Sequence, residues 1–150
     1  MYKHILVATD GSELSDHAIR QGAALARALG AKLSAITVTL PFHIFSLNPR
    51  TVTDTEPRYS EDMRKRADQY LAEAESEAKK NGLSCTLIQR EHEHPWEAIL
   101  ETAKARGCDL IVMASHGRSG LSAVLLGSQT AKVLAHSNIP VLVARPPATK

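Results

Sequence analysis

Apolar and polar positions along this chain switch repeatedly between two periods, and the switches mark an alternation of strands and helices. Residues 3–9 are a short apolar run rich in Ile, Leu and Val, as a buried strand requires. The next stretch places Ala18, Ile19, Gly22, Ala23, Leu25, Ala26 and Leu29 on one helical face, and Gly30 stops it. Residues 32–39 read as a second strand. Residues 40–57 carry Pro41, Pro49 and Pro57 without a clean period, so a long loop is expected there. Residues 58–81 read as a long helix with Met63, Ala67, Tyr70, Leu71, Ala74 and Ala78 in one stripe, ended by Gly82. Residues 83–89 read as a third strand. Pro95 opens a helix that turns Trp96, Ile99, Leu100 and Ala103 inward, and Gly107 ends it. Residues 109–113 are a fourth strand, 121–136 are mostly helical with a break near Gly127, and 140–145 are a fifth strand stopped by Pro146 and Pro147.

Strict β-α alternation predicts an α/β fold: an open five-stranded parallel sheet with helices on both faces. Residues 1–150 read as one domain without internal repeats. In a doubly wound sheet of strand order 3-2-1-4-5, the last strand lies at an edge. Val141, Leu142 and Val143 put no charge on that edge, which is the kind that pairs unless protected. A homodimer joined partly through strand 140–145 is therefore expected. The alternative is a monomer whose edge is closed by Pro140, Pro146 and Pro147.

Composition narrows the partners. The chain is 43% hydrophobic and 23% charged with a net charge of +2, so no nucleic-acid footprint is expected. Lys65, Arg66, Lys79 and Lys80 alternate with Glu73, Glu75 and Glu77, which makes a solvated helix face rather than a basic groove. No apolar run approaches the ~18–20 residues of a membrane span. The N-terminal residues reach Asp10 before a signal-peptide core forms. Cys85 and Cys108 make neither a disulfide framework nor a zinc site, so buried thiols and a cytoplasmic location are expected.

The chemistry gathers where strands end. Strand 109–113 feeds a loop, residues 115–120, and Gly127-Ser128 opens a helix beyond it. A helix N-terminus after a glycine-containing loop suits an anion, because its N–H groups are unpaired and the backbone can approach closely. Thr9-Asp10-Gly11-Ser12 follows the first strand. If the two strands are neighbours where strand order reverses, both loops face one crevice. Asp10 would there accept a ribose hydroxyl or help hold a metal, or it would cap the next helix; residue type alone does not separate these roles. The standard P-loop and dinucleotide glycine fingerprints are absent. His92 and His94 share a face if extended, but no third metal ligand is assigned and a solvated strand end before Pro95 is the simpler reading. His116 has no nucleophile beside it by spacing, so a phosphate or loop-shaping role suits it better than general-base catalysis. No catalytic or metal residue is assigned.

These residues resemble a family. Lys3-His4-Ile5-Leu6-Val7-Ala8-Thr9-Asp10-Gly11-Ser12, the stretch from Asp109 to Leu121, Leu126-Gly127-Ser128 and Pro140-Val141-Leu142-Val143 are similar to segments of the universal stress proteins, over nearly the full length. The family's ATP pattern is Gly-x2-Gly-x9-Gly-Ser/Thr. Gly117, the nine-residue gap and Gly127-Ser128 match it, and Ala114 replaces the first glycine. If position 114 needs a left-handed backbone, its β-carbon costs ~1–2 kcal/mol. An ordinary backbone, extending the strand, is the expectation.

The resemblance implies an adenine nucleotide alpha hydrolase-like fold and a site for ATP, with Mg²⁺ on its phosphates. It implies Asp10 at the ribose and Ala8, Thr9 and Val38 around the adenine. It implies Met113, Ala114, His116, Gly117 and Arg118 along the nucleotide, and donors from Gly127, Ser128, Gln129 and Thr130 to the phosphates. The expected function is a cytoplasmic stress-response or signalling protein that binds ATP or a related nucleotide and dimerises, with at most slow hydrolysis. The alternatives are a nucleotide-free dimeric scaffold and a nucleotidyl-transfer enzyme.

Overall fold

A computed structural model describes residues 1–42, 56–117 and 126–147. Most of the expected long loop, Arg118 and the 121–125 start of the expected last helix lie outside these residues. The elements are β1 (His4–Ala8), α1 (Glu13–Leu29), β2 (Lys32–Thr39), α2 (Glu56–Lys80), β3 (Cys85–Glu91), α3 (Pro95–Ala105), β4 (Leu110–Ala114), α4 (Ser128–His136) and β5 (Val141–Ala144). The strands form one parallel sheet in the order β3-β2-β1-β4-β5.

The unbroken apolar strands are buried on both faces because alternate side chains serve two cores. Ile5 and Val7 of β1, Leu33 and Ala35 of β2, and Leu110 and Val112 of β4 pack against α1 and α2. Leu6, Ile36, Ile111 and Met113 point the other way, onto Ile99 and Ala103 of α3 and Val133 of α4. Strand starts are aligned by Asp109, whose carboxylate accepts the Lys3 N–H at 2.9 Å and the His4 N–H at 3.0 Å.

Element ends differ from the sequence reading by about two residues, with a local cause. At the end of α2 the Leu83 N–H turns back to Ala78 O at 2.9 Å, and Gly82 takes a left-handed φ of 71°. Residue 83 is thus spent on closing the helix, and β3 starts at Cys85 rather than 83. The apolar stripes also need trimming. Leu29 is 38% exposed, and Tyr70 and Trp96 are half-buried rather than core. Tyr70 lies under the first loop, where a β-carbon on Gly11 would overlap its ring. The Trp96 ring stacks on His136 with centroids 4.6 Å apart. Cys85 and Cys108 are free thiols, each pushed up to about 11 chiefly by burial, which leaves them protonated and inert at neutral pH.

Candidate functional site

Strand order reverses between β1 and β4, and a cavity of about 580 Å³ opens beyond the carboxyl ends of β1, β2 and β4. That is the position and size at which open α/β sheets take small ligands. Ala8, Thr9, Asp10, Val38, Met113, Ala114, His116, Gly117, Gly127, Ser128, Gln129 and Thr130 all line it. Arg118 lies outside the described residues. Ser15, Ile36, Leu40, Glu93, Pro95 and Ile99 complete the walls and were not anticipated. Two signals were available for them. Ile36 and Leu40 share the period-two face of Val38, and Pro95 and Ile99 stand one helical turn apart.

The loop after β1 is fixed by its own short side chains. Ser12 is the N-cap of α1, taking the Ser15 N–H at 3.2 Å. Asp10 is therefore not the cap. Its Oδ1 instead accepts the Ser12 N–H at 3.0 Å, an Asx turn that holds the carboxylate at the cavity wall. Ser15 Oγ donates to Ser12 O at 2.9 Å, which consumes its single proton. The 3.0 Å contact between Thr9 Oγ1 and Ser15 Oγ must then be donated by Thr9, while Thr9 Oγ1 accepts the Gly11 N–H.

The loop after β4 depends on missing side chains. Ala114 ends β4, and among the described residues only glycines have positive φ. The alanine that replaces the pattern's first glycine thus sits on ordinary extended backbone and carries no left-handed strain. Gly117 matters for a different reason: a β-carbon there would overlap the Asp10 carboxylate and push that side chain aside. A β-carbon on Gly127 would meet His116 Cα at 2.9 Å, and the Gly127 N–H donates to Ser115 O at 2.7 Å. Replacing Gly127 by valine would therefore break the protein's own loop packing, besides any obstruction of a ligand.

The two helix starts at the cavity differ in kind. α1 is capped by Ser12, whereas the N-cap of α4 is Gly127, which has no side chain to offer. The first intrahelical bond of α4 runs from the Ala131 N–H to Gly127 O at 2.9 Å. The N–H groups of residues 128–130 precede it, at the positive end of the helix dipole. Of their side chains, the Thr130 hydroxyl is spent on Ala114 O at 2.8 Å, so it is not a ligand donor. Gln129 Oε1 accepts the Trp96 N–H at 3.0 Å. Ser128 is exposed. This arrangement can receive an anion on backbone donors at one end and a flat apolar group between Val38, Ile99 and Met113 at the other.

Two further constellations stand near the cavity. Ser115 Oγ lies 3.2 Å from His116 Nδ1, a neighbour that spacing alone did not assign, but Ser115 is only 3% exposed and does not line the cavity. The ligand atoms of His92, Glu97 and Glu101 come within 4.8 Å of one another. Their hydrogen bonds oppose a metal. His92 Nδ1 accepts the His94 N–H at 2.9 Å, so the neutral ring carries its proton on Nε2, the atom that faces Glu97. Glu101 is paired with Arg90 at 3.0 Å. The group is a charge network on the solvated end of β3.

Comparison with known proteins agrees with this geometry. A model of the universal stress protein family matches residues 1–145. The universal stress protein YxiE of Bacillus subtilis (strain 168) is 32% identical over 149 residues, covering 97% of this chain and all of that one. The solved structure of protein MJ0577 of Methanocaldococcus jannaschii superposes with a TM-score of 0.81 at 29% identity, covering 99% of both chains. A universal stress protein solved in complex with cAMP has a TM-score of 0.67 at 28% identity, covering 96% of this chain and 97% of its own.

Proposed function

This chain belongs to the universal stress protein family, and from that premise we propose that it binds ATP or a related adenine nucleotide between β1 and β4, acting by binding and self-association. The observation that carries the reading is the side-chain-free N-terminus of α4 opening on the same cavity as the Asp10 carboxylate. A nucleotide needs both ends at once: donors for phosphate and an acceptor for a ribose hydroxyl. A family relative solved with cAMP supports the adenine assignment. In this reading Ala8, Thr9, Val38, Ile99 and Met113 surround the base, with Ile36 packed behind them. Asp10 takes the ribose, and Gly117, His116 and the N–H groups of residues 128–130 take the phosphates, with Arg118 joining them on family resemblance. Mg²⁺ would arrive on the phosphates, since among the described residues the cavity's carboxylates are Asp10 and Glu93. Binding is favoured over covalent turnover because Ser115, the hydroxyl beside His116, is buried away from the cavity, and hydrolysis by water is left at most slow. The nucleotide-free scaffold drew its sequence support from Ala114, whose backbone is ordinary.

Self-association is proposed through β5. Its partner strand is β4, with Val112 opposite Leu142 and Met113 opposite Val143. The Ile111 N–H donates to Pro140 O at 3.0 Å, so in this parallel ladder the N–H groups of Leu142 and Ala144 face β4. Those of Val141 and Val143 face outward, and Leu142 is 38% exposed. A second copy pairing there would satisfy the outward groups. No helix among the described residues is long and apolar enough to cross a membrane, and we place the protein in the cytoplasm.

Thermal unfolding with and without Mg–ATP tests the nucleotide reading. At micromolar affinity, millimolar ATP stabilises the native state by about 4 kcal/mol. For a chain of this size that raises the midpoint by about 10 °C. An unchanged midpoint at millimolar ATP contradicts the reading.

A further inference from the structure

The first turn of α3 is capped from another helix. Pro95 has no N–H, and Glu97 and Ala98 donate to His94 O at 3.0 and 3.3 Å. That leaves the Trp96 N–H without a local acceptor. His94 occupies the N-cap position but makes no side-chain cap bond. The acceptor is Gln129 Oε1, 3.0 Å away in the first turn of α4. Gln129 stands between Ser128 and Thr130 on the cavity wall, and Pro95 and Ile99 of α3 form another wall of the same cavity. One carboxamide therefore ties the helix bearing the apolar wall to the turn whose N–H groups precede the first intrahelical bond. The same helices meet again where Trp96 stacks on His136.

We propose, resting on the nucleotide reading above, that Gln129 is a positioning residue that sets the spacing between the adenine wall on α3 and the phosphate-binding turn of α4. A ligand that spans both ends pays for any error in that spacing. A ligand that touches one end does not, because each wall is intact by itself. Direct contact, by contrast, would weaken the short ligand that touches Gln129 as much as the long one. The cap itself has a built-in reporter, since Trp96 is the only tryptophan of the chain.

The experiment compares wild type, Gln129→Leu and Gln129→Glu. Leucine removes the acceptor; glutamate keeps one for the Trp96 N–H. Gln129 is partly exposed, so both variants are expected to fold. Gln129→Leu should shift Trp96 emission, and Gln129→Glu should not. Calorimetric titration should then show ATP bound about tenfold more weakly by Gln129→Leu, the loss of one good hydrogen bond. Adenosine, measured by competition, and tripolyphosphate should each change by less than about threefold. Unchanged ATP affinity overturns the proposal, even if Gln129→Leu melts earlier. So does an equal loss for ATP and either short ligand. Wild type that binds no nucleotide removes the reading beneath it instead, and the Trp96 emission series still reports whether the cap exists.

Discussion

The Asp109 carboxylate takes two backbone N–H groups from the start of β1, and those bonds, first from His4 and then from Lys3, hold its pKa below the ordinary value. A lowered carboxylate contributes stability above its unfolded pKa of about 3.9 and loses it as pH falls through the folded value. Asp109→Ala should therefore cost about 1–2 kcal/mol at pH 7, reduced because the group is solvent-screened. In urea melts the gap to wild type should narrow as pH falls from neutral through the carboxylate range; a gap of equal size at neutral and acid pH contradicts this role. At this scale the site was largely legible, because small polar residues at strand ends have few other uses. The reasons behind them were not. Gly117 is conspicuous in the sequence, but the Asp10 carboxylate that a side chain there would have to push aside lies far away along the chain. The Thr130 hydroxyl read as a phosphate donor until its bond to Ala114 O located it.

Helix α1 meets the sheet at Gly22, where a β-carbon would overlap Val7 Cγ2. Val7 is 1% exposed and cannot yield. Gly22→Ala gains roughly 1 kcal/mol of helix propensity and loses about 1–3 kcal/mol to overpacking. A net destabilisation is expected, lowering the thermal midpoint by about 2–4 °C per kcal/mol. A variant more stable than wild type would show that α1 rides further from β1. Element type was readable because each stretch keeps one period throughout. Ends were less so, since the turn that closes α2 recruits Leu83 from what reads as strand. Half-buried positions were also obscure: Tyr70 and Trp96 fall on apolar stripes, yet Tyr70 supports a loop, and Trp96 packs on the edge of the core while stacking on a neighbouring helix.

The molecule's two sheet edges are unlike each other. β3 presents exposed Thr86, Gln89 and Glu91, with the Arg90–Glu101 ion pair beside them, whereas β5 presents Val141, Leu142 and Val143. Among the described residues, polar and charged side chains surround Leu87 on the first edge, whereas the second carries an unbroken apolar run between Pro140 and Arg145-Pro146. Light scattering on a sizing column should find a dimer. Val143→Pro, which removes an outward donor and leaves the β4 ladder intact, should be monomeric at low micromolar concentration. A monomeric wild type, or a fully dimeric variant, rules out this interface. Strand order was legible from alternation and the family resemblance together, while which edge groups point outward required the register. The crevice between Asp10 and the start of α4 is the proposed nucleotide site. Calorimetric titration of Mg–ATP into wild type and Gly117→Ala tests it most directly. Wild type should bind at micromolar affinity, about −8 kcal/mol, and the alanine, whose β-carbon displaces the Asp10 carboxylate, should bind at least about tenfold more weakly while remaining folded. No heat from wild type at millimolar ATP, or equal affinity in the two proteins, would contradict it.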